Sequence, residues 1–260
     1  MSGTAWIVLS PSRKKRRGFF YSRESKRNAA NANTTGRVQN VKKLYLLDST
    51  LRDGAQSVGI SFSVQDKFKI AKILDELGVD YIEAGNPGSN PKDMEFFKMI
   101  QEHPLSHSKV TAFGSTRRKH ISVEEDANIR SLLAAGTDCV TIFGKSWDIH
   151  VTEILRAALP ENLQMIRDTV AFLKANGKEV VYDAEHFFDG YKANPEYAMQ
   201  TLEAAYESGA DCLCLCDTNG GAFPDEIYEI TKLVLDRFPV AVGIHAHDDS
   251  GMAVAGSIMA

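Results

Sequence analysis

The sequence predicts an α/β fold, a (β/α)8 TIM barrel that is cut short after its seventh strand. Short apolar, β-branched runs alternate with amphipathic helical stretches from Leu44 onward, which is the order of a parallel sheet covered by helices. Polar residues follow the carboxyl end of nearly every run, where barrel enzymes assemble one site from many strands. An open doubly wound sheet would concentrate them at one switch point, and no Gly-x-Gly-x-x-Gly follows the first run.

Length and composition predict a single water-soluble domain. A chain of 260 residues with 43% apolar and 25% charged residues can bury one sizeable core, and α/β barrels of this size are commonly single domains. The chain has no run of about eighteen apolar residues, and its start lacks the apolar core of a secretory signal. These features give no support to membrane insertion or export, so we expect a cytoplasmic protein.

Residues 1–43 differ in charge from the predicted barrel domain, residues 44–260. They hold eleven Lys or Arg against the single Glu24, so the first segment is basic and the domain is acidic. We predict that residues 1–43 form a disordered extension unrelated to the chemistry. The run SRKKRRG would also suit contact with nucleic acid or anionic lipid, and the Arg- and Ser-rich composition would suit a transit peptide.

The sequence of residues 44–260 predicts seven strands and six intervening helices. The strand segments, in order, are KLYLLDST, DYIEAGNP, KVTAFGST, CVTIFGKS, EVVYDAEH, CLCLCDTN and VAVGIHAHD. The helical segments between them are SVQDKFKIAKILDELG, PKDMEFFKMIQEH, SVEEDANIRSLLAAG, ENLQMIRDTVAFLKANG, PEYAMQTLEAAYESG and PDEIYEITKLVLDRF. The final stretch, SGMAVAGSIMA, begins a seventh helix, so strand eight is expected to be missing. Because an unclosed barrel exposes strand edges, we expect these 260 residues alone to be poorly soluble or inactive.

The four cysteines do not form a C-x-x-C pair. Cys212, Cys214 and Cys216 alternate with leucine, which on a strand places all three thiols on one face. We expect small apolar packing under a helix rather than disulfides or a metal cluster.

A candidate metal site begins with His245 and His247, which lie two residues apart at the end of the seventh strand segment. On a strand their rings point to the same face, into the barrel mouth. Two imidazoles and a carboxylate leave coordination positions open on a divalent cation, as in catalytic metal sites. Asp53, in the loop after the first strand segment, could complete this set. A paired core histidine is the alternative.

The loop that holds Asp53 lies in LDSTLRDGAQS and also presents Arg52 and Gln56. Gly54 allows the tight turn that brings them together. Arg52 would face negative charge on a substrate, and we assign Gln56 to substrate binding. The alternative is an ordinary surface turn with a solvated ion pair.

Four further polar residues end other strand segments. Glu83 and Glu185 would project carboxyls into the mouth, where burial should raise their pKa and suit proton transfer; a salt bridge to a barrel Lys or Arg is the alternative. The Thr218 hydroxyl could bind a carboxylate of the substrate, and Asp217 could accept a hydrogen bond behind the residues that contact the substrate. The alternative is that either residue only caps the next helix. We assign Glu83, Asp217 and Thr218 to substrate binding. Three residues of FGKSWDIHV stay unassigned, because ion pairing and packing explain them equally well: Lys145, Trp147 and His150.

Together these motifs resemble a family of acyl-CoA-condensing barrel enzymes. The family includes 2-isopropylmalate, homocitrate and citramalate synthases and, more distantly, the 3-hydroxy-3-methylglutaryl-CoA lyases. Its signature D-x-T-L-R-D-G-x-Q is present from Asp48 to Gln56, and its H-x-H is His245 and His247. The segments DAEHFFDGYKANPEYA, TIFGKSWDIHV and LCDTNGG are most similar to the citramalate synthase branch, and the resemblance spans residues 44–260.

The resemblance implies a divalent metal held by Asp53, His245 and His247. Mg²⁺ or Mn²⁺ is the expected ion, with Zn²⁺ as an alternative. Family members usually read H-x-H-N-D, and this chain has Asp248 in place of that Asn, which changes the charge beside the metal. A further Asn ligand of the family belongs to the strand-eight loop, which is expected beyond Ala260.

The resemblance also implies a reaction. Acetyl-CoA would condense with pyruvate to give (R)-citramalate and CoA in isoleucine biosynthesis, with Arg52 and Glu185 as catalytic residues and Thr218 on the keto acid's carboxylate. The alternatives are a 2-isopropylmalate synthase that uses 2-oxoisovalerate for leucine biosynthesis, a carbon–carbon lyase, and a nucleic-acid-binding protein led by the basic tail. The expected partners are the small-molecule substrates and, for the full-length protein, a second subunit in a homodimer; neither a membrane nor nucleic acid is expected.

Overall fold

Eight strands form a closed ring in the computed structural model, which describes residues 5–9 and 44–260. Each strand lies beside its neighbour in sequence, and the last pairs with the first. In chain order the strands are β1 Ala5–Leu9, β2 Leu44–Asp48, β3 Tyr81–Glu83, β4 Lys109–Ser115, β5 Cys139–Lys145, β6 Glu179–Glu185, β7 Cys212–Asp217 and β8 Ala241–Ala246.

The strands β2 to β8 are the seven that the sequence predicts, and they run parallel. The predicted barrel of seven parallel strands is therefore confirmed. Because all seven carboxyl ends point the same way, the loops that follow them gather at one mouth.

The remaining place in the ring is taken by β1, which the sequence did not predict. It runs antiparallel to both neighbours, with Leu9 opposite Leu44 and Ile7 opposite Ile244. The segment AWIVL is rich in aromatic and β-branched residues, which favour strands, and it pairs with the two edges that seven strands alone would leave open. The expected disordered extension is thus wrong for Ala5–Leu9, and the basic run SRKKRRG lies outside the described residues.

The helices are α1 Val64–Glu76, α2 Pro91–Glu102, α3 Ala127–Ala134, α4 Leu159–Ala175, α5 Phe187–Ala193, α6 Pro195–Glu207, α7 Pro224–Arg237 and α8 Ala253–Met259. All six predicted intervening helices are present, and α8 is the predicted seventh. A 3-10 turn at Gly54–Gln56, a π-helix at His150–Leu155 and the short α5 were not predicted.

Side-chain caps fix where several helices begin. Ser63 and Asp66 form a reciprocal capping box at the start of α1. Helix α3 begins five residues later than the segment SVEEDANIRSLLAAG predicts, because the Asp126 carboxylate accepts hydrogen bonds from the backbone N–H of Asn128 and Ile129, at 2.8 and 3.2 Å.

Two layers of buried side chains hold the barrel together. The larger layer lies between the sheet and the helices, and it includes Leu213 and Leu215. The smaller layer fills the inside of the ring and includes Leu47, Val181 and all four cysteines. The thiols of β7 therefore face the barrel interior, and it is the leucines between them that lie under helices. The expectation that the cysteines pack under a helix is wrong, because alternation fixes which residues share a face and not which face is inside.

Candidate metal centre at the barrel mouth

The loop after β2 is folded tightly over the mouth. The backbone N–H groups of Arg52, Asp53 and Gly54 all donate to the carbonyl of Ser49, at 3.0, 2.8 and 3.1 Å. The Asp48 carboxylate accepts from the backbone N–H of Thr50 at 2.9 Å. These local bonds place Arg52 and Asp53 on adjacent positions at the centre of the mouth.

The structure brings the three predicted ligands together. The Oδ2 atom of Asp53 lies 3.6 Å from Nε2 of His245 and 3.5 Å from Nε2 of His247. One ligand atom from each of the three residues falls within 4.8 Å of the others. The site is half enclosed, since the side chain of His245 is 6% exposed and that of His247 is 31% exposed.

This donor set fits a divalent cation. Both Asp53–His separations exceed an ordinary hydrogen bond, so both imidazoles face one carboxylate oxygen across a gap that a shared ion would span. Imidazole nitrogen and carboxylate oxygen are ligands for Mn²⁺, Fe²⁺ and Zn²⁺, and three protein ligands leave positions for substrate.

The protonation states of the trio also suit metal binding. Burial lowers the pKa of His245 to about 4, and the nearby Asp53 only partly opposes this effect. Burial would raise the pKa of Asp53, but the neighbouring His245 and the Arg52 guanidinium outweigh it and hold that pKa well below its ordinary value. At neutral pH the site therefore offers a neutral imidazole at His245 and an ionised carboxylate, which are the forms that coordinate a metal.

Arg52 is held from three sides. Its Nε donates to Oε2 of Glu83 at 2.5 Å, and its Nη1 donates to Oδ1 of Asp53 at 2.9 Å. Its guanidinium carbon lies 3.9 Å from the centre of the Phe113 ring, a cation–π contact. The guanidinium is thus fixed beside the candidate metal ligands.

Glu83 does not occupy the position of a group that binds substrate directly. It is completely buried, and it contacts Arg52. Glu185 lies at the mouth and forms an ion pair with Lys145 on the adjacent strand β5. For both glutamates the structure shows the salt-bridge alternative, and Lys145, which the sequence left unassigned, belongs to the mouth.

Thr218 and Asp217 follow β7 and have different surroundings. The Thr218 hydroxyl accepts a hydrogen bond from the backbone N–H of His186 at 2.9 Å. Asp217 is buried, and its carboxylate accepts from the backbone N–H groups of Gly221 and Ala222, at 3.3 and 3.0 Å. Asp217 therefore shapes its own loop, whereas Thr218 joins the loops that follow β6 and β7.

Gln56 lies at the rim rather than at the centre. It is exposed and lines a cleft between the loops that follow β2 and β3, together with Arg52, Asn86 and Lys92. The cleft opens beside the metal ligands.

Two features of the mouth were missed by sequence reasoning. Asp183, two residues before Glu185 on the same face of β6, lies inside the barrel beside His245 and Cys216. Burial, together with the charge of Glu83, raises the pKa of Asp183 well above its ordinary value. The two-residue spacing in YDAEH was the available signal.

The second feature is an aromatic and imidazole cluster. The ring centre of His150 lies 4.8 Å from that of Trp147 and 4.4 Å from that of His186. His186 has a φ of 55°, an uncommon conformation for a residue other than glycine. No sequence signal places these three rings together, because they come from two different loops.

The relatives of the chain include (R)-citramalate synthases and a 2-isopropylmalate synthase. The chain is 58% identical over 220 residues to the (R)-citramalate synthase of Aquifex aeolicus, a match that covers 84% of this chain and 42% of that protein. It is 53% identical to the (R)-citramalate synthase of Sulfolobus acidocaldarius, with the same coverage of 84% and 42%. The 2-isopropylmalate synthase of Sulfolobus acidocaldarius is 36% identical, over 84% of this chain and 54% of that protein. The chain thus spans about two fifths of the length of these citramalate synthases.

Solved structures show the same fold. The hydroxymethylglutaryl-CoA lyase of Pseudomonas aeruginosa superposes with a TM-score of 0.63 at 20% identity, over 80% of this chain and 69% of that one.

In the part of the chain that the structure describes, no helix is long and apolar enough to span a bilayer. The HMGL-like family model matches residues 43–260. The chain therefore belongs to the HMGL-like family.

Proposed function

We propose that the protein is an acyltransferase that condenses acetyl-CoA with pyruvate to give (R)-citramalate and CoA, in isoleucine biosynthesis. The observation that carries this proposal is the 49–58% identity to (R)-citramalate synthases over 83–84% of this chain. Synthases of the family that bear other names, for 2-isopropylmalate and homocitrate, match at 32–36%.

The site supplies the groups that this condensation requires. A divalent cation held by Asp53, His245 and His247 would polarise the ketone of the 2-keto acid; Mg²⁺ or Mn²⁺ is our first choice and Zn²⁺ the alternative. The Thr218 hydroxyl already accepts the His186 N–H, so its own hydrogen is available to donate to the keto acid's carboxylate.

Carbon–carbon bond formation needs a base and an oxyanion partner. Glu185, held at the mouth by Lys145, would remove a proton from the acetyl methyl group. The methyl carbon then bonds to the ketone carbon of pyruvate, and the ketone oxygen gains negative charge. Arg52, fixed by Glu83 and Phe113, would stabilise that charge. Hydrolysis of the thioester by water then releases CoA.

An assay that follows CoA release with a thiol reagent tests the proposal. The full-length protein is incubated with acetyl-CoA, Mn²⁺ and either pyruvate or 2-oxoisovalerate, and its Asp53→Asn variant serves as the control for metal-dependent turnover. We expect faster release with pyruvate. Faster release with 2-oxoisovalerate would overturn the citramalate proposal in favour of a 2-isopropylmalate synthase.

The likeness to hydroxymethylglutaryl-CoA lyases motivates a second candidate. A lyase would cleave a hydroxyacyl-CoA without added keto acid. Each described cysteine is buried, so none presents an exposed thiol at the mouth. Cleavage of hydroxymethylglutaryl-CoA in the absence of pyruvate would favour the lyase over the synthase.

The assembly and location of the protein are also proposed from the family resemblance. We propose a cytoplasmic homodimer whose partners are otherwise small molecules. Sedimentation that shows only monomers across a wide concentration range would contradict the dimer.

A further inference from the structure

A second group of potential metal ligands lies deeper in the barrel than the site at the mouth. Asp183 on β6, Cys216 on β7 and His245 on β8 point into the ring from three consecutive strands. One potential ligand atom from each falls within 4.8 Å of the other two. All three are buried, with exposures of 3%, 5% and 5%.

Asp183 offers a buried oxygen that no protein donor satisfies. Its Oδ1 atom is inaccessible and has no hydrogen-bond partner among the described residues. Such an atom is costly to bury unless it gains a partner, and a bound cation is one such partner. The thiol of Cys216 lies 3.9 Å from the carbonyl oxygen of Cys214, a weak contact that a bond to a metal ion can replace.

We propose that Asp183, Cys216 and His245 form a second metal site, selective for thiophilic divalent cations such as Zn²⁺ and Cd²⁺. A thiolate, an imidazole and a carboxylate are ligands that zinc accepts, and the soft thiolate, which the mouth site lacks, favours zinc and cadmium over Mg²⁺. The proposal is independent of the condensation reaction, because it concerns binding by three side chains inside the barrel. The two sites share His245, while Asp53 and His247 serve the mouth alone.

The geometry needs modest adjustment to bind an ion. Ligand atoms of a tetrahedral zinc site lie roughly 3.3–3.8 Å apart, as bond lengths of about 2.0–2.3 Å dictate. Atoms that already fall within 4.8 Å can reach that spacing through small side-chain rotations. The Cys216 thiol, and the Asp183 carboxyl where it is protonated, release their protons to solvent as they become ligands, since coordinating thiols and carboxyls are deprotonated.

Titration of the metal-free protein with Cd²⁺ tests the site, because a bond between Cd²⁺ and a thiolate absorbs in the near ultraviolet and needs sulfur. Four proteins are compared: the wild type, Cys216→Ser, Cys139→Ser and Asp53→Asn. Cys139→Ser is the matched control, since Cys139 is a buried cysteine of the same inner layer. Asp53→Asn removes a ligand of the mouth site only.

We expect the absorption band in the wild type, in Cys139→Ser and in Asp53→Asn, and its loss in Cys216→Ser. A wild type that binds Cd²⁺ without the band would overturn the proposal, and so would a band that survives in Cys216→Ser. If Cys216→Ser does not fold, the Asp183→Asn variant tests the site instead. Its Cd²⁺ affinity, followed through the band, should fall by about tenfold or more, and an unchanged affinity would overturn the site.

Discussion

At the scale of single residues, the buried Glu83 acts on the site at the mouth by positioning Arg52. Glu83 is fully buried and contacts Arg52, which also contacts Asp53 and Phe113. Its carboxylate compensates the guanidinium charge inside the barrel. Glu83 is therefore better described as a positioning residue than as the substrate ligand that the sequence suggested.

Replacing Glu83 with alanine should destabilise the protein strongly. The substitution removes one of the two carboxylates that pair with the buried Arg52 guanidinium and leaves Asp53 as the other, and breaking a buried ion pair lowers the free energy of unfolding by roughly 3–5 kcal/mol. Urea unfolding measures this loss. Glu76→Ala, which removes an exposed glutamate on α1, is the control and should change the free energy by less than about 0.5 kcal/mol. Equal effects of the two substitutions would show that the Glu83–Arg52 pair does not stabilise the fold.

Residue-scale chemistry was only partly predictable from sequence. The ligands Asp53, His245 and His247 lie at or just after the carboxyl ends of strand segments, so parallel topology alone predicts that they meet. The pairing of Glu185 with Lys145 depends on the register between β5 and β6, which a single sequence does not reveal. The neighbours of Asp183 were missed for the same reason.

At the scale of elements, the unpredicted α5 shapes the mouth. It follows directly after Glu185 and His186, and its Gly190 packs against the backbone after β5: a Cβ atom at this position would lie 2.4 Å from the carbonyl oxygen of Ser146. Only a residue without a side chain fits there. Contact of α5 with this loop therefore helps to hold the Lys145–Glu185 pair at the mouth.

Substituting Gly190 with alanine should force α5 away from β5. The Ser146 backbone cannot move aside as a flexible side chain can. We therefore expect the free energy of unfolding to fall by roughly 1–3 kcal/mol. Thermal unfolding measures it. Gly221→Ala is the matched control, because its added methyl meets nothing within 4 Å. A Gly190→Ala protein as stable as Gly221→Ala would contradict the packing described for α5.

Periodicity predicted the long elements and missed the short ones. Helices such as α4 and α7 bury a regular stripe of apolar residues, so their pattern identifies them. Helix α5 has seven residues, and the π-helix at His150–Leu155 has six. Such segments are too short for a helical period to stand out, and tertiary contacts decide their conformation.

At the scale of the whole molecule, ring closure depends on a segment remote in sequence from its neighbours. The strand β1 ends at Leu9 and pairs with β2, which begins at Leu44. It also pairs with β8. The composition of AWIVL favours a strand, but no local pattern indicates which distant strands it pairs with.

Substituting Ile7 with proline should open the ring. Ile7 lies opposite Leu46 and Ile244, and proline both lacks the N–H and cannot be accommodated in a strand paired on both sides. We expect a cost of roughly 3 kcal/mol and faster hydrogen exchange of backbone amides in β2 and β8. Ile7→Val is the control that preserves the strand. Unchanged exchange in the proline variant would mean that β1 does not close the barrel in solution.

Binding of a divalent cation at the mouth through Asp53, His245 and His247 is tested most directly by Mn²⁺ titration followed by electron paramagnetic resonance. We expect the wild type to take up Mn²⁺, and Asp53→Asn and His247→Ala each to weaken binding by at least about tenfold, because each substitution removes a ligand. Asp249→Asn, which alters an exposed acid in the loop that follows His247, should bind as the wild type does. Mn²⁺ uptake that is the same in all four proteins would show that Asp53 and His247 do not hold the cation.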